Sequence, residues 1–369
     1  MDTAAPPLRL GLIGPLPPPS GGMANQCRQL RDLLAAEGVS VDLVQVNAPY
    51  QPAWAGRLRG VRALFRLLPY LANLWRACGR NDVLHLMANS GWAWHLYAAP
   101  AIWIARLRGT PIIVNYRGGE AASFFAAAPR WVHATLARAD RLAVPSGYLE
   151  AVFGAMGFKS VVIPNIINLD RFKPRAAVAG QNAPHLIVTR NLEPIYDIPT
   201  ALAAFAIILR EFPRARITVA GSGPERGRLE ALAAELGIAP AVNFCGRVDN
   251  HDIPALYAGA DLMLNPSTVD NMPISILEAF ASGVPVVSTN VGGIPYVARD
   301  GHSALLVAPR APEAMAAAAL RVLREPALTA SLVAAGRDSA ARCAWPEVRA
   351  QWLTEYRRLC RSDRGLEAA

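Results

Sequence analysis

Lysine is almost absent from this 369-residue chain: two stand beside 35 arginines. Cysteine is scarce too, and its five copies (Cys27, Cys78, Cys245, Cys343, Cys360) include no C-x-x-C pair. The six histidines show no i, i+4 pair or other metal-ligand spacing. A disulfide framework and a structural zinc site are therefore not expected, and a reducing compartment fits. No secretory signal is read in the first residues, which carry Asp2 and no long apolar run. The longest apolar stretch, 92–105, is interrupted by His95 and Pro100. It falls short of the roughly 20 residues a spanning helix needs. Charged residues make up only 18% of the chain against 53% hydrophobic, which excludes a disordered chain. Thirty Pro and 28 Gly follow no G-x-y period, so a collagen-like reading fails. This length implies two domains, each with its own core.

Acid is missing from one stretch in particular. Residues 57–80 (RLRGVRALFRLLPYLANLWRACGR) hold six Arg, no Asp or Glu, and apolar residues between them. Pro69 is expected to divide them into two short amphipathic segments. Such segments suit an anionic membrane surface, or form a solvated helix face whose apolar side packs in a core. Residues 1–185 carry 19 basic and 9 acidic side chains, a net +10, while residues 186–369 carry −1. No nucleic-acid recognition motif accompanies the charge, so nucleic acid is not an expected partner.

Short apolar, β-branched runs alternate with helical patterns along the chain. Strands are expected at 8–13, 41–46, 82–86, 111–115, 141–145 and 161–164, then at 185–189, 215–220, 241–245, 261–265 and 284–288. Helices are expected at 23–37, 200–211, 225–236, 274–282 and 312–324. Alternation of this kind implies parallel sheets covered on both faces, an α/β class of two doubly wound Rossmann-like domains facing a cleft. The expected organisation is one Rossmann-like domain over 1–172, a linker over 173–184 and a second Rossmann-like domain over 185–345. A helix over 346–369 carries Val348, Trp352 and Tyr356 on one face and is expected to dock across the junction.

Three segments could carry chemistry. Gly21-Gly22 precedes a helix, where backbone N–H groups can approach a phosphate; a plain glycine turn reads the same way. GSGPERGRL, with Gly221 and Gly223, imitates a dinucleotide turn but has Arg226 in place of its third glycine and lacks the later acid, which argues against a dehydrogenase. The richest segment is 261–293, DLMLNPSTVDNMPISILEAFASGVPVVSTNVGG. There a strand ends in Asn265-Pro266-Ser267, a loop carries Asp270, and a helix beginning near Ile274 carries Glu278. The amides at that helix start could hold a diphosphate, and Glu278 could accept hydrogen bonds from vicinal hydroxyls.

Pro266, Ser267, Asp270, Leu277, Glu278, Ala279, Ala281, Gly283, Pro285, Val286 and Val287 together resemble the signature of the retaining glycosyltransferases of family 4 (glycosyl transferases group 1), which have the GT-B fold. VVIPNIINLDRFKP (161–174), AGSGPERGRL and VNFCGRV (242–248) are similar to further segments of that family, and Gly21-Gly22 to its N-terminal glycine loop.

The resemblance implies retaining, metal-independent transfer of a hexose from a nucleotide-diphosphate sugar, with no other cofactor. The acceptor would be a saccharide or a polyprenyl-phosphate-linked sugar in bacterial polysaccharide or glycolipid assembly. It implies a cytoplasmic protein, with the inner face of the cytoplasmic membrane as a peripheral site. Trp92, Trp94, Tyr97 and Trp103 would suit a lipid-linked acceptor there, or else be core. By resemblance Glu278 would bind the ribose and Asp270 the transferred sugar, with the amides of Ile274 and Ser275 assisting. Arg190 would neutralise the diphosphate; Arg247-Val248, Asn271, Met272, Pro273, Gly221 and Gly223 would complete the donor site.

Three departures stand out. Ile195 occupies the place of the family's Lys, so Arg247 or Arg117 is expected to supply the second cation. The family's E-G-F-G loop reads Asp270-Asn271-Met272-Pro273, and Pro273 has no N–H. Arg117, before Gly118-Gly119, stands near the position of the family's His. A nucleotide-sugar epimerase, a sugar phosphorylase or synthase acting on a soluble sugar phosphate, and a catalytically silent nucleotide-sugar- or lipid-binding subunit are the competing readings.

Overall fold

A computed structural model describes residues 8–18, 21–58, 62–173 and 183–366, with side chains to residue 360. Of the expected linker, residues 174–182 lie outside the described residues, as does Arg59 of the basic stretch. The chain divides into two compact units, Met1–Ile166 with Trp345–Ala369, and Ile167–Ala344. The division thus falls at Ile166/Ile167, ahead of the expected 172/173.

The first unit holds a parallel sheet of β1 (Arg9–Gly14), β2 (Ser40–Gln45), β3 (Val83–Ala88), β4 (Ile112–Tyr116), β5 (Arg141–Val144) and β6 (Val161–Val162), in the order β2-β1-β3-β4-β5-β6. The second holds β7 (His185–Thr189), β8 (Arg216–Ala220), β9 (Val242–Gly246), β10 (Leu262–Asn265), β11 (Val286–Thr289) and β12 (Leu305–Val307), in the order β12-β11-β10-β7-β8-β9. Every pairing is parallel. Central strands such as β3 and β4 are buried along their whole length. That burial explains why they read as continuous apolar runs rather than alternating ones.

The sequence reading does not name β12, with only three residues, or the helices Ala99–Leu107, Ala121–Ala127, Arg130–Leu136, Gly147–Ala155, Ile253–Ala258, Ile294–Val297 and Pro326–Ala341. Another element differs. Pro69 does not divide the basic stretch, because one helix runs from Leu64 to Cys78. Pro69 lies on the exposed face of that helix, where water can satisfy the carbonyl the ring leaves unbonded. Tyr70, Leu74, Ala77 and Cys78 form the buried face.

The helix Trp345–Leu366 belongs with the first unit. Val348, Trp352 and Tyr356 are buried in a core with Leu10, Leu12 and Val83. Glu355 pairs with Arg141 at 2.7 Å, and Arg349 with Glu37 at 2.9 Å. His85 of β3 sits wholly buried beneath the helix, its Nδ1 2.7 Å from Tyr356 Oη and its Nε2 3.1 Å from Asn115 Nδ2.

Candidate functional site

β7 lies between β8 and β10, so successive crossovers leave it in opposite directions. In open α/β sheets, ligands bind beyond the carboxyl ends of the strands at such a switch point. Arg190 follows β7 and Asn265 closes β10. Arg190 Nε donates to Asn265 Oδ1 at 2.8 Å, and its Nη2 pairs with Asp270 Oδ2. The guanidinium carbon lies 5.0 Å from the Tyr196 ring centroid. Asn265 is fully buried; its amide donates to Ser288 Oγ at 2.9 Å and its Oδ1 also accepts from Ser267 Oγ at 3.2 Å. Arg190 is thereby fixed in direction from three sides.

The Asp270 loop is held from below. Asn271 N–H donates to Asp270 Oδ1 at 2.9 Å. A Cβ on Gly292 would lie 2.1 Å from the Asp270 carbonyl oxygen, and one on Gly293 1.8 Å from that of Asn271. Only glycine allows so close an approach, and Gly292 has φ +51° besides. Burial raises the Asp270 pKa, with Arg190 opposing. Thr268 anchors the same loop by donating its N–H (2.8 Å) and Oγ1 (2.9 Å) to the Ile195 carbonyl.

The helix Ile274–Ala281 starts from the extended Pro273, and Ser275 Oγ is buried there without a hydrogen-bond partner among the described residues. Glu278 lies one turn in. Burial pushes its carboxyl up to about 7, opposed by the Tyr257 hydroxyl and by the charges of Arg171 and Arg190. Tyr257 is fully buried. Its Oη lies 2.7 Å from Thr189 Oγ1, 2.9 Å from the Ser275 carbonyl and 3.3 Å from Glu278 Oε2.

The structure thus brings Arg190, Asp270 and Glu278 together with the Asn271–Ser275 segment. The Met272 side chain packs into the core with Ile276 and Ile294 and is not available to a ligand. Gly221 and Gly223 pack under the Arg190 loop: their Cβ positions would fall 1.9 Å from the Arg190 carbonyl oxygen and 2.3 Å from that of Leu192. Arg247 is exposed after β9, which β8 separates from β7, and has no ion pair among the described residues. Val248 beside it is half-buried. Tyr196, Tyr257, Arg171 and the Gly292-Gly293 pair were not singled out from sequence. Arg171 lies within the segment 161–174, Tyr196 stands next to Ile195, and Gly292-Gly293 closes the richest segment, whereas Tyr257 has no local signal at all.

In the first unit, Arg117 follows β4 and donates to Gln26 Oε1 at 3.5 Å and to Asn165 Oδ1. Burial lowers its pKa to about 10. Both partners are neutral, so the charge has no carboxylate partner among the described residues. Gln26 belongs to the helix Gly22–Ala36, whose N-cap, Gly21, offers no side-chain cap. A Cβ at Gly21 would meet nothing within 4 Å, so the space beside that turn is open. The four aromatic residues of 92–105 diverge: Trp94 is wholly buried, Tyr97 half-buried, and Trp92 and Trp103 exposed. Among the described residues no helix is long and apolar enough to cross a membrane.

Two doubly wound units with a charged cluster at the second unit's switch point place the chain in the GT-B class of glycosyltransferases. Comparison with known proteins narrows this. The family model "Glycosyl transferases group 1" matches residues 171–339, and "Glycosyl transferase 4-like domain" matches residues 21–165. The chain belongs to this family and is a glycosyltransferase. It is 26% identical over 386 residues to a phosphatidyl-myo-inositol mannosyltransferase of Mycobacterium leprae, spanning 98% of this chain and 100% of that one. It is 28% identical over 362 residues to a D-inositol 3-phosphate glycosyltransferase of Saccharomonospora viridis (89% and 82%). Among solved structures, sucrose-phosphate synthase from Thermosynechococcus elongatus superposes with a TM-score of 0.75 at 23% identity, covering 96% of this chain and 100% of that one. Anabaena HepE in complex with UDP-glucose gives 0.68 at 16% identity, covering 98% and 100%.

Proposed function

We propose that the protein transfers a hexose, with retention of anomeric configuration and without a metal ion, from a nucleotide-diphosphate sugar to a saccharide or lipid-linked acceptor. The observation that carries this reading is the convergence of Arg190, Asp270 and Glu278 beside the start of the helix Ile274–Ala281. Breaking the anomeric C–O bond leaves a nucleoside diphosphate with added negative charge, which a fixed guanidinium and helix-start amides stabilise. Arg190 meets that charge and Glu278 accepts hydrogen bonds from the ribose. Asp270 accepts from hydroxyls of the transferred sugar. The acceptor hydroxyl oxygen bonds to the anomeric carbon on the face the diphosphate leaves, and a phosphate oxygen of the leaving group takes its proton.

On the first unit, Gly21, Gly22 and Arg117 supply an open helix start and a cation whose partners among the described residues are neutral. An acceptor bearing a phosphate fits them, and of the two relatives one is named for phosphatidyl-myo-inositol and the other for D-inositol 3-phosphate. Trp54, Leu64, Leu68 and Trp75 are exposed within a stretch whose charged residues are all Arg. This suits a peripheral position on the inner face of an anionic membrane, where a lipid-linked acceptor for polysaccharide or glycolipid assembly would be presented.

A thermal-shift panel of UDP, GDP, ADP and their hexose conjugates, run in EDTA, tests the donor half. One diphosphate and its sugar conjugate should raise the melting temperature, by about 2.7 kcal/mol of stabilisation at 100 times Kd. No shift at millimolar ligand would overturn the donor site and favour a silent subunit that binds lipid instead. Co-sedimentation with vesicles containing phosphatidylglycerol tests the membrane half: binding should be strong at low salt and lost at high salt.

A further inference from the structure

The chain leaves β3 through a glycine with φ +69°, Gly91, and enters a helix in which Trp94–Ala98 form a π-turn continuing into the α-helix Ala99–Leu107. Such turns often mark functional positions, because one extra residue per turn redirects the side chains around it. Here His95 is the hub of an aromatic group. Its ring centroid lies 6.1 Å from that of Trp92, 5.9 Å from Phe124 and 5.2 Å from Trp131. Trp92 follows the carboxyl end of β3, and Phe124 sits in the helix after β4, on the ligand-binding side of a parallel sheet.

The rings are not simply core. Trp92 is 78% exposed and Trp131 48%, whereas Trp94, two residues on from Trp92, is 0% exposed. Neither ring nitrogen of the half-buried His95 has a hydrogen-bond partner among the described residues. A hydrocarbon chain laid over this group would strip water from those nitrogens and return no hydrogen bond. A pyranose ring sets its electropositive C–H face on an indole and offers hydroxyls at its edge to the imidazole. We infer that Trp92, His95, Phe124 and Trp131 form a saccharide-binding subsite that receives a sugar ring of the acceptor. This rests on the glycosyl-transfer reading above and commits it to an acceptor recognised by carbohydrate rather than by lipid at this point.

Saturation-transfer NMR on the full chain tests the subsite, with methyl α-mannopyranoside, methyl α-glucopyranoside, methyl β-galactopyranoside and farnesyl phosphate as probes, each at 20 mM or its solubility limit. At least one glycoside should receive saturation through its ring C–H protons. Trp92→Ala, at an exposed position, should weaken that binding about tenfold. His95→Phe, which keeps the ring and removes both nitrogens, should weaken it as well. The inference is overturned if no glycoside binds, if binding ignores Trp92→Ala, or if farnesyl phosphate is the probe that Trp92→Ala releases. The nucleotide thermal shift should be unchanged in both variants. A wild-type protein that binds no nucleotide would defeat the donor reading separately, whatever the glycosides do.

Discussion

Tyr257 Oη lies 3.3 Å from Glu278 Oε2 and 2.9 Å from the Ser275 carbonyl, and with one proton it can donate to only one of them at a time. Glu278 is therefore a carboxylate with a shared donor, and burial lifts its pKa to about 7. An ionised carboxylate accepts from ribose hydroxyls, so nucleotide affinity should rise with pH through about 7. Stability should run the other way. Between the unfolded value of 4.5 and about 7 the folded state holds a proton the unfolded state has lost, so Glu278 makes stability fall as pH rises across that window. Glu278→Gln should remove both dependences, as titration calorimetry and melting curves from pH 5 to 8 would show. Tyr257→Phe should move the affinity midpoint upward and weaken binding at pH 7 by about fivefold, the worth of a hydrogen bond of roughly 1 kcal/mol.

Arg190 and Asp270 pair with side chains only 11% and 12% exposed. Removing one member of a buried pair leaves an uncompensated charge and typically costs about 3–5 kcal/mol, while removing both costs less. Arg190→Ala should therefore melt below the double variant Arg190→Ala/Asp270→Ala, and neither should transfer sugar. If the double variant melted lowest, the pair would be contributing net stability, contrary to this expectation.

Most of the strands can be read from sequence because sheets buried on both faces demand continuous β-branched runs, as in PIIVN and HLIVT. β12 has too few residues to show a pattern. Pro69 misleads because solvent exposure, which decides whether a proline breaks a helix, is a tertiary property. Asp270 and Glu278 were visible because both lie in one local strand–loop–helix segment, and Arg190 only through the family resemblance. Tyr257 was not: it meets Thr189, 68 positions away, only once β7 and the helix Ile274–Ala281 are in place. Gly292-Gly293 reads as a turn until the Asp270 loop is seen lying on it.

That contact makes a sharp prediction. A methyl at Gly293 would sit 1.8 Å from the Asn271 carbonyl oxygen, which no real Cβ tolerates, so the Asp270 loop must shift. Gly293→Ala should abolish or greatly reduce sugar transfer. Gly38→Ala is the control: its Cβ has open space and its φ of +81° carries only backbone strain, so it should lower stability and leave kcat unchanged. Equal kinetic losses in the two variants would mean that the loop position does not govern the site.

His85 offers a test of how the C-terminal helix is held. Burial lowers its pKa to about 3, so it is neutral in the folded protein, its nitrogens engaged by Tyr356 and Asn115. The unfolded chain takes up a proton near pH 6.5 that the folded chain refuses until about 3. Stability from this group is present above 6.5 and declines as the pH falls toward 3, at up to about 1.4 kcal/mol per pH unit. His85→Gln should lower the melting temperature at pH 8, where the hydrogen bond to Tyr356 and the ring contact with Trp352 (centroids 4.4 Å apart) are lost. It should also lose less than the wild type on acidification from pH 6.5 to 4.5. Parallel melting curves for the two proteins across that range would mean that His85 is protonated without penalty, and that the helix is not anchored through a neutral imidazole.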